Sequence, residues 1–151
     1  MGMGLLITGT MLVISIVALL ASLSLAIEQP LERLSPQDRI KENQIHIYSD
    51  KVVIDVEGAS WATYADTNSM DPLFDKGTNG IELIPKSPED LAIGDIAAYE
   101  TSQGLIVHRI VAINQDSKGV YFTFKGDNNK NSDPFKVRFN QIKYVLIGII
   151  Y

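Results

Sequence analysis

Four polar side chains stand where a strand-rich chain would not ordinarily place them. Ser69 lies in Thr67-Asn68-Ser69-Met70-Asp71-Pro72, between a turn-forming Asn and an Asp-Pro step, a setting for a loop or the start of a short helix. His108 sits within Leu105-Ile106-Val107-His108-Arg109-Ile110-Val111, an otherwise apolar strand. Asp127 and Asp133 share the run Gly126-Asp127-Asn128-Asn129-Lys130-Asn131-Ser132-Asp133-Pro134. Taken singly, each has an ordinary explanation: a loop serine, a packed strand histidine with one hydrogen bond, a polar surface turn. A calcium loop starting at Asp127 fails on spacing, because the sixth-position glycine and twelfth-position glutamate are absent. Taken together, they match a known chemistry. A serine hydroxyl is a weak nucleophile until a base removes its proton. Histidine is the natural base near neutrality, and a carboxylate holds its tautomer and stabilises the imidazolium. The other histidine, His46, has no comparable partners nearby in sequence. Spacing does not show whether the serine, histidine and acids meet.

The elements that must position them follow from hydrophobic period. From Gln44 onward the period is two. Ile45–Tyr48 and Lys51–Val56 flank Ser49-Asp50, which predicts a hairpin. Further strand-like runs are Ile81–Pro85, Asp95–Glu100, Leu105–Ile113, Val120–Lys125 and Tyr144–Tyr151, separated by turns rich in Gly, Asn and Ser. The last run is too short for a bilayer-spanning helix and reads as a buried strand. About seven short strands without a long helix predict a mainly β domain, barrel-like or built as a folded sheet, over residues 44–151.

Charge divides the chain. All 13 Lys+Arg and 18 Asp+Glu lie beyond residue 27. Leu5–Ala26 is uncharged and apolar, and at ~1.5 Å per residue it is long enough for the ~30 Å core of a bilayer. Residues 1–27 are therefore expected to be a single transmembrane anchor. A cleaved signal peptide is the rival: Ser24-Leu25-Ala26 has a cleavage-site look, but no basic residue precedes an unusually long apolar run. Residues 28–43 read as a juxtamembrane linker, with a short helix over Pro36–Glu42 suggested by the Ser35 N-cap and Pro36 at N1. Arg33, Arg39 and Lys41 follow the run, so the positive-inside rule leans toward a cytosolic body. Zero cysteines exclude disulfides, thiolate metal sites and a cysteine nucleophile. The net charge of −5 argues against a nucleic-acid partner.

These residues carry a resemblance. Ser69-Met70-Asp71-Pro72 resembles the Ser-Met-x-Pro box of type I signal peptidases. Gly94-Asp95-Ile96 is similar to their Gly-Asp-hydrophobic strand start, and His108-Arg109 stands where the bacterial enzymes have Lys-Arg. Gly126-Asp127-Asn128-Asn129 followed by Asp133 resembles the matching segment of the archaeal and endoplasmic-reticulum branch. The order holds over residues 60–135. The resemblance implies a mainly β fold shared with self-cleaving repressors. It implies a single-pass serine endopeptidase of the cell or endoplasmic-reticulum membrane that removes signal peptides from exported proteins on the extracytoplasmic side. That placement is opposite to the lean from charge. The implied partners are signal peptides and the lipid bilayer, with room for accessory membrane subunits; no cofactor or metal is implied. Ser69 would be the nucleophile, His108 the general base and Asp133 the orienting acid, with Asp127 supporting the loop or sharing that role. Thr67 would be the side-chain oxyanion donor beside the Ser69 amide, and Met70 and Pro72 would touch substrate. Arg109, next to His108 and so on the opposite strand face, reads as structural.

The chain departs from the pattern in places. Thr78 stands where the family often has Asp, and an extra strand-like segment, Gly80–Asp90, precedes Gly94. No second apolar span follows the body. Two further readings stay open at this point. One is a non-catalytic membrane-anchored β-domain of the same fold that binds a partner. The other is a self-cleaving regulator cut near Ser24–Ala26. The anchor reading predicts that the mature protein keeps the intact mass of all 151 residues; loss of a piece ending near Ala26 would replace the anchor with a removed segment.

Overall fold

Alternation of apolar and polar residues builds most of the body, and the computed structural model follows it closely. Residues 33–151 are described, so the expected anchor and the first part of the linker lie outside the described residues. Leu34–Tyr151 forms one compact unit. No helix among the described residues is long and apolar enough to cross a membrane.

Eight strands make two antiparallel sheets. β1 (Ile45–Ile47) and β2 (Val52–Ile54) form the expected hairpin as a separate two-stranded sheet. The main sheet contains β3 (Ser60–Thr63), β4 (Asn79–Leu83), β5 (Ile96–Thr101), β6 (Gly104–Asp116), β7 (Gly119–Lys125) and β8 (Ile142–Ile150). Its order is β3-β4-β8-β5-β6-β7, with all pairs antiparallel. The two ends, β3 and β7, do not pair with each other, so the barrel-like expectation is corrected to an open sheet. β3 has no clear strand pattern, since Ser-Trp-Ala-Thr is short and mixed; it exists by pairing with β4. The final apolar run takes the central place of β8, between β4 and β5.

The main sheet is covered on both faces. Ala97 and Tyr99 of β5 pack with Ile110, Phe122, Phe124 and Val145 in one cluster. Ile96, one residue out of phase, packs with Met70, Phe74 and Leu146 in another. A period of two sends neighbours to opposite faces, so burial on both sides explains why these strands read as continuous apolar runs.

The expected helix over Pro36–Glu42 does not form; residues 34–41 run without helix, and only a 3-10 turn, Glu42–Gln44, follows. Tertiary acceptors win over the local capping signal. The Gln37 amide donates to Asp95 Oδ1 at 2.8 Å, and the Arg39 guanidinium pairs with Asp95 Oδ2. Asp95 is wholly buried and also accepts the Ala92 amide at 2.9 Å, so it fastens the incoming chain to the start of β5. The two backbones touch at Gly94, where a Cβ would lie 2.3 Å from the Ser35 carbonyl oxygen and φ is +103°. Gly94→Ala should therefore cost about 2–4 kcal/mol through both clash and left-handed strain. Chemical denaturation in detergent measures it; a loss near zero would mean that residues 34–39 do not sit on this turn.

Candidate active site

β6 delivers the histidine. His108 and Arg109 are adjacent on it, so their side chains leave on opposite faces, and each finds its own aspartate. His108 Nδ1 lies 2.7 Å from Asp133 Oδ2, with both side chains about nine-tenths buried. Asp133 is placed by its own backbone, whose amide donates to the Phe124 carbonyl on β7 at 2.8 Å. A second donor reaches the same carboxylate oxygen: the Tyr99 hydroxyl, at 2.7 Å. Burial works against ionisation of Asp133, but the bonds from His108 and Tyr99 outweigh it and hold the carboxyl below its ordinary value. Tyr99 is pushed upward, first by burial and then by the carboxylate beside it, so it remains a donor. With Nδ1 committed to Asp133, Nε2 is the nitrogen of His108 that can take up a proton.

On the other face, Arg109 grips Asp127 in a bidentate pair, Nε to Oδ1 at 2.8 Å and Nη2 to Oδ2 at 2.6 Å. This divides the two acids. Asp133 orients the histidine, and Asp127 supports the loop. The turn that Asp127 belongs to seats the serine. The Asn128 amide donates to the Ser69 carbonyl at 2.9 Å, and Asn128 Nδ2 donates to the Asn68 carbonyl at 2.9 Å. Gly126 is required by proximity, since a Cβ there would lie 2.6 Å from the Ser69 carbonyl oxygen.

Ser69 is in a turn, as its neighbours suggest. Its hydroxyl lies 3.0 Å from Thr67 Oγ1, and its amide donates to the same oxygen at 3.4 Å. The side chain and amide expected to stabilise an oxyanion thus sit together. Asp75 shapes this loop by accepting the Thr67 and Asn68 amides at 3.1 and 3.2 Å. Those bonds, the Thr67 amide foremost, hold its carboxyl below the usual range. Asn68 takes a left-handed conformation, φ 56°, which Asn tolerates better than most residues.

Ser69 and His108 line one cavity of about 300 Å³. Its walls include Tyr64, Met70, Phe74, Ile106 and Val107, and are mostly apolar. β7 pairs with β6 only from Arg109 onward, while Leu105–His108 pair with β5 alone. The outer edge of β6 beside the cavity is therefore unpaired within the main sheet. Of the two expected substrate contacts, Met70 is buried and contributes to the cavity wall. Pro72 is exposed and is not part of that wall.

Tyr99 and Asp75 complete the site although neither stands in one of the motifs that carry the resemblance. Tyr99 left only a faint signal: a buried tyrosine hydroxyl requires a partner. Among the described residues no group of three or more potential ligands forms a metal site. Comparison with protein-family models, with curated proteins and with solved structures finds no match.

Ionised Asp133 stabilises the fold above the ordinary carboxylate range near pH 4, and that contribution is lost as pH falls through its lowered folded value. Tyr99→Phe removes one of the bonds responsible and should cost ~1.5–3 kcal/mol at pH 7. The deficit should shrink as the pH is taken from 7 down through that lowered folded value, where the carboxyl becomes protonated in both states. Urea unfolding along that pH range measures both; an equal deficit throughout would mean the hydroxyl does not serve the carboxylate.

Proposed function

We propose that the chain is a membrane-anchored serine endopeptidase of the type I signal peptidase kind, archaeal and endoplasmic-reticulum branch, acting on signal peptides of exported proteins. One observation carries this reading: His108, bonded through Nδ1 to a buried carboxylate, shares a cavity with Ser69. The ordered motifs of the sequence and the uncharged segment before the body support it. The fold assigned with it is the folded β-sheet that these peptidases share with self-cleaving repressors. The catalytic domain is placed on the extracytoplasmic side of the membrane.

The chemistry follows from the groups present. A substrate strand adds along the unpaired edge at Leu105–His108, where backbone bonds hold an extended peptide. A small apolar side chain enters the cavity. Ser69 Oγ attacks the scissile carbonyl carbon as His108 Nε2 takes its proton. Asp133 keeps the Nδ1 proton and stabilises the imidazolium. The Ser69 amide and the Thr67 hydroxyl turn to the oxyanion, where such donors contribute several kcal/mol. His108 then protonates the leaving amine as the C–N bond breaks. Water, deprotonated by the same nitrogen, releases the acyl group from Ser69.

One feature favours the rival non-catalytic domain: the Ser69 hydroxyl is bonded to Thr67 rather than to His108. Cleavage of a presequence by the protein in membranes separates the two readings. Ser69→Ala should lower the rate at least ~10³-fold with the melting temperature unchanged. Undiminished cleavage in that variant would overturn the assignment. Labelling of Ser69 by a serine-directed acylating probe would exclude the non-catalytic domain. His108→Lys, which restores the bacterial type of base, should keep more activity than His108→Ala.

A further inference from the structure

The unpaired edge of β6 has a second side. Ile106 and Val107 are neighbours on this strand, so their side chains leave on opposite faces. Val107 packs against the cluster of Met70 and Phe74, which wall the cavity of Ser69. Ile106 packs against the cluster of Tyr99 and Phe122 on the other face. A second hollow lies there, of about 630 Å³ against about 300 Å³ for the first. Its walls are the β5–β6 turn (residues 101–103), the loop of residues 134–136 that follows Asp133, and Tyr99, Ile106 and Gln141. Ile106 lines both spaces, so they meet at the stretch of β6 that β7 leaves uncovered.

We propose that this hollow is a second subsite for the same peptide, taking a large uncharged side chain from the residue next to the one held in the first cavity. The inference rests on the reading of the protein as a peptidase that takes its substrate as an added strand. An extended peptide alternates its side chains at a period of two, as β6 does. The residue on the acyl side of the cleaved bond puts its side chain in the first cavity. The residue before it then faces the side of Ile106, where the second hollow lies. The walls define what fits. Phe135 is half exposed, so its ring has apolar surface still to cover, and Thr101, Ser102 and Gln103 add uncharged polar groups. Lys136 also lines the hollow, but its ammonium is engaged by Asp116 at 3.1 Å and sits over the Tyr121 ring. The Tyr99 hydroxyl holds Asp133, so a carboxylate placed against Tyr99 would meet like charge.

Two peptides test this. They share the same small residue before the cleaved bond and differ only at the residue preceding it, Phe or Ala. The full-length protein in detergent should cleave the Phe peptide with a kcat/KM at least about tenfold higher. Phe135→Ala should reduce that ratio below about threefold. A general loss of folding would slow both peptides alike and leave the ratio where it was. A ratio near one in the unaltered protein, or one that Phe135→Ala leaves intact, would overturn the proposal. Binding is read separately in Ser69→Ala. A peptide with p-benzoylphenylalanine at the same position should photocross-link to residues 101–106 or 134–141, located by mass spectrometry. Adducts on Met70 or Phe74 instead would put that side chain in the first cavity and sink the proposal. Adducts at the hollow without cleavage by the unaltered protein would mean that the peptidase reading fails while the subsite stands. Cleavage without such adducts would mean the reverse, and neither cleavage nor adducts would overturn both.

Discussion

The buried guanidinium of Arg109 is the contact on which the geometry of the candidate site depends. Two of its nitrogens hold Asp127, and the third donates to the Gly94 carbonyl at 2.8 Å and the Leu34 carbonyl at 3.2 Å. Three distant stretches thus meet on one side chain: the turn that seats the serine, the turn that starts β5, and the incoming chain. The residue just before it is His108. The distance between the serine loop and the histidine is therefore set through a single backbone step on β6. Buried charges of this kind stabilise little compared with an apolar replacement, but removal of one partner alone typically costs ~3–5 kcal/mol. Such a pair is suited to specifying a geometry.

Strand parity separates the two aspartates. Six positions apart in one loop, they look interchangeable in sequence. In the fold, one meets the even-numbered side chain of β6 and the other the odd-numbered one. Asp133 enters a setting where burial resists its charge and two donors, His108 and Tyr99, restore it. Asp127 has a permanent cation as its partner, which suits a structural role. Tyr99 shows that the packing of the core reaches into the site. Its ring packs against Phe124 in a tilted pair with centroids 4.6 Å apart, and its hydroxyl ends on Asp133.

Burial is distributed unevenly over the two sheets. The main sheet is covered on both faces, while the hairpin is covered on neither. The centre of the main sheet, by contrast, buries Ile96, Ala97, Tyr99, Ile110, Val145 and Leu146.

The strands, the turns and the candidate groups Ser69, His108 and Asp133 were legible in the sequence because each rests on a local pattern: period two, Gly- and Asn-rich turns, and polar residues inside apolar runs. The face opposite His108 for Arg109 was legible for the same reason. Other features were decided by contacts between residues far apart in the chain. The capping signal at Ser35-Pro36 lost to acceptors on Asp95, nearly sixty positions away. β3 exists because β4 pairs with it. The division of labour between Asp127 and Asp133, and the second donor from Tyr99, depend on which side chains three separate strands bring together. Sequence alone determined which groups were candidates. Only the tertiary structure decided which of them share a cavity, because a hydrogen bond between distant residues has no local pattern to announce it.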